Sequence, residues 1–165
     1  MISPAFLSPD RCEPSVRLVS PLERALTGID PGRVRDRSHV GKLEVRGDVA
    51  SLEPAPGDRF HRIGPRHGLY VHEGPTAELR DSLTARGYAV IDQTGAYAAF
   101  EVHGADVLRR LTDLDLEALP AAGLVARVRG IVTRADGGAF VVYVAQEHGH
   151  YACEAVLDAL EGLGR

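Results

Sequence analysis

Two stretches of this sequence repeat one another: residues 36–47 read DRSHVGKLEVRG, and residues 92–104 read DQTGAYAAFEVHG. With one gap, both begin with Asp-x-Ser/Thr, continue as a strand ending in Leu/Phe-Glu-Val-Arg/His-Gly, and are followed by Asp48 or Asp106. A hydroxyl two residues after an Asp suits a tight turn, because short polar side chains bind nearby backbone groups. Chance is the alternative explanation, since any two strands between a turn and a Gly look alike. A predicted hairpin and helix follow each stretch, which favours a duplicated domain.

The rest of the sequence predicts an α+β fold. In the first half, period-two or short apolar segments predict strands at 40–46, 59–63 and 69–72, and a turn at 64–68 joins the last two. A helix is predicted from Gly74 to about Arg86. The second half predicts strands at 88–91, 96–103, 125–133 and 139–145, a short helix at 105–111 and a closing helix at 149–163. An Asp-Gly step within 134–138 is a strong hairpin signal. We therefore expect mainly antiparallel sheets, with helices packed on one side of them.

The first 35 residues differ from the rest. They hold five of the ten prolines and show no sustained periodicity, which predicts an extended Pro-rich arm that is either disordered or wraps a partner. One helical turn is predicted at 21–26, with Ser20 as its cap. Residues 36–165 are predicted to form one pseudo-duplicated domain, with repeat one at about 36–87 and repeat two at about 88–165.

Composition excludes several classes of protein. The chain has 165 residues, of which 44% are hydrophobic and 25% are charged, so it can bury a core without a metal or a disulfide. A net charge of −4 argues against a duplex nucleic-acid binder. Cys12 and Cys153 form no closely spaced pair, and neither a signal-peptide pattern nor an 18-residue apolar stretch is present. We expect a cytoplasmic protein without nucleic-acid or membrane partners.

The histidines are the first candidate site. His148 and His150 form a His-x-His step, and the histidines elsewhere in the chain include His61, His67, His72 and His103. Neutral imidazoles bind zinc, but this step has no fixed third ligand. A solvated helix start is the expected role, and no metal ligand is predicted.

Two acidic residues occupy equivalent places in the repeats. Glu44 and Glu101 each precede Val-x-Gly, so they could form a carboxylate pair facing one cleft. Each lies between apolar residues on a strand, and the solvent face is the expected location. The Gly-rich segments 64–68 and 137–138 lack the Lys and following helix of a phosphate loop, and Cys153 lies among apolar helix positions. No catalytic or cofactor-binding residue is predicted.

Residues 36–47 resemble the Asp-x-Ser-His-x-Gly-x-x-x-Val-x-Gly segment of glycine-cleavage T-proteins, the folate-dependent aminomethyltransferases. A wider co-linear set is similar to the gamma subunits of sarcosine oxidase. It consists of Ser20-Pro21-Leu22, residues 43–48, residues 63–69, Val90-Ile91-Asp92, Val102-His103-Gly104 and Leu114-Asp115-Leu116. The chain departs from that family by having no Trp, and by carrying residues 146–150 where the family has an Arg-Ser pair.

The resemblance implies a fold like the aminomethyltransferase folate-binding domain and a place in a heterotetramer of alpha, beta, gamma and delta chains. In such a complex FAD, FMN and NAD lie in alpha and beta, zinc lies in delta, and tetrahydrofolate lies in the C-terminal region of alpha. The implied role is a non-catalytic gamma-type subunit, inactive when isolated, of a complex that demethylates sarcosine or a related N-methyl amino acid. The N-methylglutamate dehydrogenase complex shares this subunit plan.

Two other functions stay open. A stand-alone folate-binding or one-carbon-transfer protein acting as a homodimer is the first alternative, and a scaffold for some other partner is the second.

Overall fold

The computed structural model describes residues 19–164 of the chain. Its strands are β1 (Val34–Asp36), β2 (Gly41–Arg46), β3 (Arg59–Gly64), β4 (His67–His72), β5 (Ala89–Asp92), β6 (Tyr97–His103), β7 (Ala121–Val125), β8 (Val128–Arg134) and β9 (Ala139–Ala145). The helices are α1 (Ala77–Ala85), α2 (Ala105–Arg109) and α3 (Gly149–Glu161). Short 3-10 turns lie at Val49–Ser51, Asp136–Gly138 and Gln146–His148.

The strands form two antiparallel sheets, which confirms the predicted α+β class. The first sheet has the order β3-β4-β2-β5, and the second has the order β1-β6-β9-β8-β7. Their inner faces share a buried cluster made of Val40, Leu69, Val71, Ala99, Val141 and Tyr143. Leu83 of α1 packs on the other face of the first sheet, and α2 and α3 pack on the other face of the second. Each sheet therefore carries helices on one face only.

The two sheets repeat the same strand pattern. The order β3-β4-β2-β5 corresponds to β8-β9-β6-β1, and β7 is an addition to the second sheet. The first strand of each half crosses to the other half, because β1 pairs with β6 while β5 pairs with β2. The predicted boundary at residue 88 therefore does not separate the sheets, since β5 completes the first one.

The turns before β2 and β6 form as the repeated sequence predicts. The Asp36 carboxylate accepts a hydrogen bond from the Ser38 amide at 2.8 Å, and Asp92 accepts one from the Thr94 amide, also at 2.8 Å. Each short acidic side chain thus closes a turn two residues long.

The hydroxyls of these turns connect the two halves. Ser38 Oγ accepts a hydrogen bond from the amide of Ala99 at 3.1 Å, and Thr94 Oγ1 accepts one from the amide of Lys42 at 3.0 Å. Lys42 and Ala99 are equivalent residues of the repeat. Each half therefore supplies a hydroxyl that fixes the start of the other half's central strand.

The N-terminal region differs from the predicted extended arm at residues 1–35. The first 18 residues of the predicted arm lie outside the described residues. The helical turn at 21–26 is confirmed, because Ser20 Oγ accepts a hydrogen bond from the Leu22 amide at 3.1 Å and Leu26 donates to the Leu22 carbonyl at 2.9 Å. Leu22 is completely buried beside α3, and β1 spans the predicted boundary at residue 35. Residues 20–35 therefore belong to the globular domain.

Strand β7 was not predicted. The expected single strand at 125–133 is instead two paired strands, joined by the two-residue turn Ala126-Arg127. Both turn residues have positive φ, 49° for Ala126 and 68° for Arg127. Two-residue hairpin turns usually use Asn-Gly or Asp-Gly, so the sequence gives no turn signal here.

Candidate functional site

A cleft of about 390 Å³ lies between the two sheets, and we call it the arginine cleft. Its polar lining includes Arg35, Arg37, Arg59, His61, Thr133 and Tyr143. Arg59 and His61 belong to β3 of the first sheet, whereas Thr133 and Tyr143 belong to β8 and β9 of the second. The cleft is therefore built by residues from both halves of the repeat.

Strand register places four of its lining residues in one row across the second sheet. Arg35 pairs with Glu101, Glu101 with Val141, and Val141 with Thr133. Side chains alternate along a strand, and the intervening residues Val34, Val132 and Val142 face α3. The row consequently faces the first sheet and presents a cation, an anion, an apolar group and a hydroxyl.

Two ion pairs join the sheets at this cleft. Arg37, which follows β1, pairs with Glu73, which follows β4; Arg59 of β3 pairs with Asp136 in the turn before β9. The acidic partners are largely exposed, at 59% for Glu73 and 91% for Asp136. Exposed pairs contribute about 0–1 kcal/mol each, so these carboxylates can be exchanged for another anion at small cost.

The floor of the arginine cleft carries a buried hydroxyl. Thr133 is 1% exposed, and its Oγ1 has no hydrogen-bond partner within residues 19–164. Beside it, burial raises the pKa of Tyr143 to about 12; the Thr133 side chain, which is close to the phenol but does not meet hydrogen-bond geometry, and the charges of Arg37 and Arg59 offset only part of that effect. Tyr143 is therefore a neutral phenol at physiological pH.

His61 is neutral in this setting. Burial, together with the positive charge of Arg59, lowers the pKa of His61 to about 4. It can accept or donate a hydrogen bond as a neutral imidazole, but it adds no positive charge to the cleft.

Lys42, the single lysine of the chain, lies on the inner face of β2 and is completely buried. Its Nζ donates hydrogen bonds to the carbonyls of Ser38 at 2.9 Å and Val40 at 2.6 Å. Burial lowers the pKa of Lys42 to about 8, although Asp92 and Asp36 oppose the shift. The sequence did contain a signal for this buried lysine, because Lys42 aligns with Ala99 in the second repeat. The burial of Lys42 was nevertheless not predicted.

Glu44 and Glu101 do not form a pair. Leu43 and Val45 face α1, so Glu44 points to the inner side of its sheet, and Glu101 does the same in the second sheet. The expected solvent-face location is therefore wrong for both. Glu101 lines the arginine cleft, whereas Glu44 lines a separate groove and bonds Arg46 at 2.7 Å.

The remaining histidines are dispersed. His148 is exposed, and His150 Nε2 lies 3.2 Å from a carboxylate oxygen of Glu154. Among the residues that the structure describes, no group of three or more His, Cys, Asp or Glu side chains is placed to hold a metal ion.

An unpredicted polar network anchors the loop before β3. His72 Nδ1 lies 2.7 Å from the Asp58 carboxylate, and the Tyr70 hydroxyl donates to the same carboxylate at 3.0 Å. Tyr70 also accepts the Ala55 amide at 2.9 Å. The sequence gives only a weak indication of this network, because Asp58 lies in a loop 12 to 14 positions before Tyr70 and His72 of β4.

Cys153 lies at a buried position of α3, as its apolar sequence setting predicts. Burial raises the pKa of Cys153 to about 12, so the thiol stays protonated and is a poor nucleophile.

None of the helices within residues 19–164 has the length and apolar character needed to span a membrane.

Comparisons with known proteins give a likeness in structure alone. No family model matches the chain, and no curated protein matches its sequence. Among solved structures, a chain of the heterotetrameric sarcosine oxidase from Corynebacterium sp. U-96, solved in complex with pyrrole 2-carboxylate, superposes with a TM-score of 0.75 and 14% sequence identity. The match covers 90% of this chain and 97% of that chain. This protein therefore has the fold of a sarcosine oxidase subunit.

Proposed function

We propose that this chain is a gamma-type, non-catalytic subunit of a heterotetrameric flavoenzyme complex similar to sarcosine oxidase. The complex would demethylate sarcosine or a related N-methyl amino acid oxidatively and transfer the one-carbon unit to tetrahydrofolate. The partners would be the alpha and beta flavoprotein chains, with the zinc-binding delta chain as a further member.

The observation that carries this proposal is the near end-to-end structural match. The superposition leaves only 3% of the sarcosine oxidase chain uncovered, so the likeness extends over a whole chain of similar size. A domain shared with a much larger catalytic subunit would leave most of that subunit uncovered. The match thus favours a small subunit of the complex.

The state of the reactive side chains supports a non-catalytic role. Cys153 is a buried protonated thiol, and Lys42 is enclosed by backbone carbonyls. Nucleophilic catalysis needs an accessible activated group, which neither of these two side chains provides. Under this proposal FAD, FMN, NAD and tetrahydrofolate bind to the partner subunits, and the complex is cytoplasmic.

Co-expression tests this function directly. The full chain, carrying an affinity tag, would be produced together with the alpha, beta and delta chains encoded in the same genome. We expect the yellow flavoprotein chains to be retained with the tagged chain in fixed proportion through size-exclusion chromatography at micromolar concentration. A tagged chain that elutes alone, without flavin absorbance, contradicts the proposal.

Titration of the isolated chain with tetrahydrofolate separates the main alternative. A subunit whose folate site lies in a partner gives no binding heat at near-millimolar ligand. Saturable heat together with the mass of a homodimer would favour a stand-alone folate protein instead.

A further inference from the structure

We propose that the arginine cleft binds the carboxylate group of a small molecule, held by the Thr133 hydroxyl and the guanidinium groups of Arg37 and Arg59. This binding would belong to the chain itself. It is independent of the proposed assembly with flavoprotein subunits.

The unpaired hydroxyl of Thr133 is the first argument. A buried polar group without a partner destabilises a fold, so such groups usually meet a protein atom, a water or a ligand. Thr133 lines the cleft next to Tyr143, and its buried Oγ1 has no hydrogen-bond partner within the described part of the chain. A carboxylate oxygen is a strong acceptor for its proton.

The charge of the cleft is the second argument. Arg37 and Arg59 pair with carboxylates that are themselves mostly exposed, and both arginines lie close enough to Tyr143 to affect its pKa. Guanidinium groups bind carboxylates in a planar, bidentate geometry. A ligand carboxylate can therefore replace Glu73 or Asp136 while it also reaches the buried hydroxyl.

Size and lining restrict the ligand. A volume of about 390 Å³ lies at the small end of ligand sites, and Val71 and Val141 supply apolar wall. The molecule should therefore be small, with a short aliphatic portion beside its carboxylate.

Glu101 distinguishes two sources of this carboxylate. It faces the cleft next to Arg35, and across residues 19–164 neither side chain has a hydrogen-bond or ion-pair partner. An amino acid could place its ammonium group at Glu101, whereas a simple carboxylic acid could not. Sarcosine and butyrate, with equal numbers of heavy atoms, therefore form a matched pair of probes.

The test is nuclear magnetic resonance titration of the ¹⁵N-labelled full chain with sarcosine, butyrate and uncharged butyramide. We expect saturable shifts of the Thr133 and Tyr143 amides with at least one of the two carboxylates and none with butyramide. Tighter binding of sarcosine identifies an amino-acid site, and tighter binding of butyrate identifies a simple carboxylate site. Equal shifts with butyramide, or no shift with either carboxylate, overturn the proposal.

Variants locate the site. Thr133→Val should weaken binding at least about fivefold, the equivalent of one neutral hydrogen bond, while Thr133→Ser retains it. Thr84→Val, on the exposed side of α1, is the matched control and should bind like the parent chain. If Thr133→Val fails to fold, Arg59→Gln against Arg129→Gln gives the same comparison. Unchanged binding in Thr133→Val, or in Arg59→Gln where that pair is used, refutes the assignment.

Discussion

Lys42→Met should abolish a rise in stability with pH that the parent chain shows between pH 7 and pH 9. The pKa of Lys42 is lowered by burial from 10.5 to about 8 in the folded chain. Between these two values the unfolded chain binds more protons than the folded chain, so the free energy of unfolding increases with pH. Below the pKa of the folded chain, Lys42 is protonated in both the folded and the unfolded chain, and its buried charge destabilises the fold fully.

The size of the effect follows from the linkage relation. A shift from 10.5 to about 8 makes the folded chain about 1 kcal/mol more stable at pH 9 than at pH 7 through this group alone. The thiol of Cys153 has the opposite effect on stability. Because its pKa is raised in the folded chain, the free energy of unfolding falls as the pH rises above the ordinary thiol pKa of 9.0. The difference between the parent chain and the variant removes that shared contribution.

Urea unfolding at pH 7, 8 and 9, followed by far-ultraviolet circular dichroism, measures the effect. Lys42→Arg is the control: because an arginine stays charged throughout this range, it should also lack the Lys42-dependent rise, and its stability should differ from that of Lys42→Met by an amount that does not change with pH. A direct reading comes from lysine-selective ¹³C labelling, since the chain has one lysine and gives one side-chain signal. Parallel pH profiles of parent and Lys42→Met, or a titration midpoint at 10.5 or above, would contradict a lowered pKa of Lys42 in the folded chain.

Three further substitutions and one labelling experiment test other parts of the structure. Thr133→Val should raise the free energy of unfolding of the unliganded chain by about 1 kcal/mol by removing an unsatisfied hydroxyl; a loss would show that the hydroxyl is already satisfied. Arg127→Gly should stabilise the chain by about 0.5 kcal/mol, because glycine tolerates the φ of 68° at this exposed turn; thermal unfolding measures it, and a lower midpoint contradicts it. Gly149→Val should lower the free energy of unfolding by about 1–3 kcal/mol, because a Cβ at this position would lie 2.4 Å from the Cβ of Ala98. Urea unfolding measures the change, and a variant as stable as the parent would be inconsistent with that contact. Cys153 should react with a thiol reagent only on unfolding, so fast native labelling located at this residue by mass spectrometry would contradict its burial.

Local patterns predicted most of the secondary structure. Period-two alternation indicated β2 and β6, because Leu43 and Val45 in one, and Phe100 and Val102 in the other, each face a helix. The hydroxyl turns were also predictable, since Asp and Ser or Thr two residues apart form them through local hydrogen bonds.

The crossing of strands between halves depends on contacts far apart in sequence. β1 was missed because three residues are too short for a period-two pattern, and its partner β6 lies more than 60 positions away. β7 was missed because Ala126 and Arg127 carry no turn signal. The arginine cleft was missed for the same reason, since Arg37, Arg59 and Thr133 come together only after both sheets form.

Native mass spectrometry of the co-expressed complex decides whether this chain is one of its subunits. We expect one species in which a single 17.7 kDa chain is bound to the flavin-containing chains. Detection of this chain only as a free monomer or as a homodimer, beside an intact flavoprotein that lacks it, would contradict the proposed function.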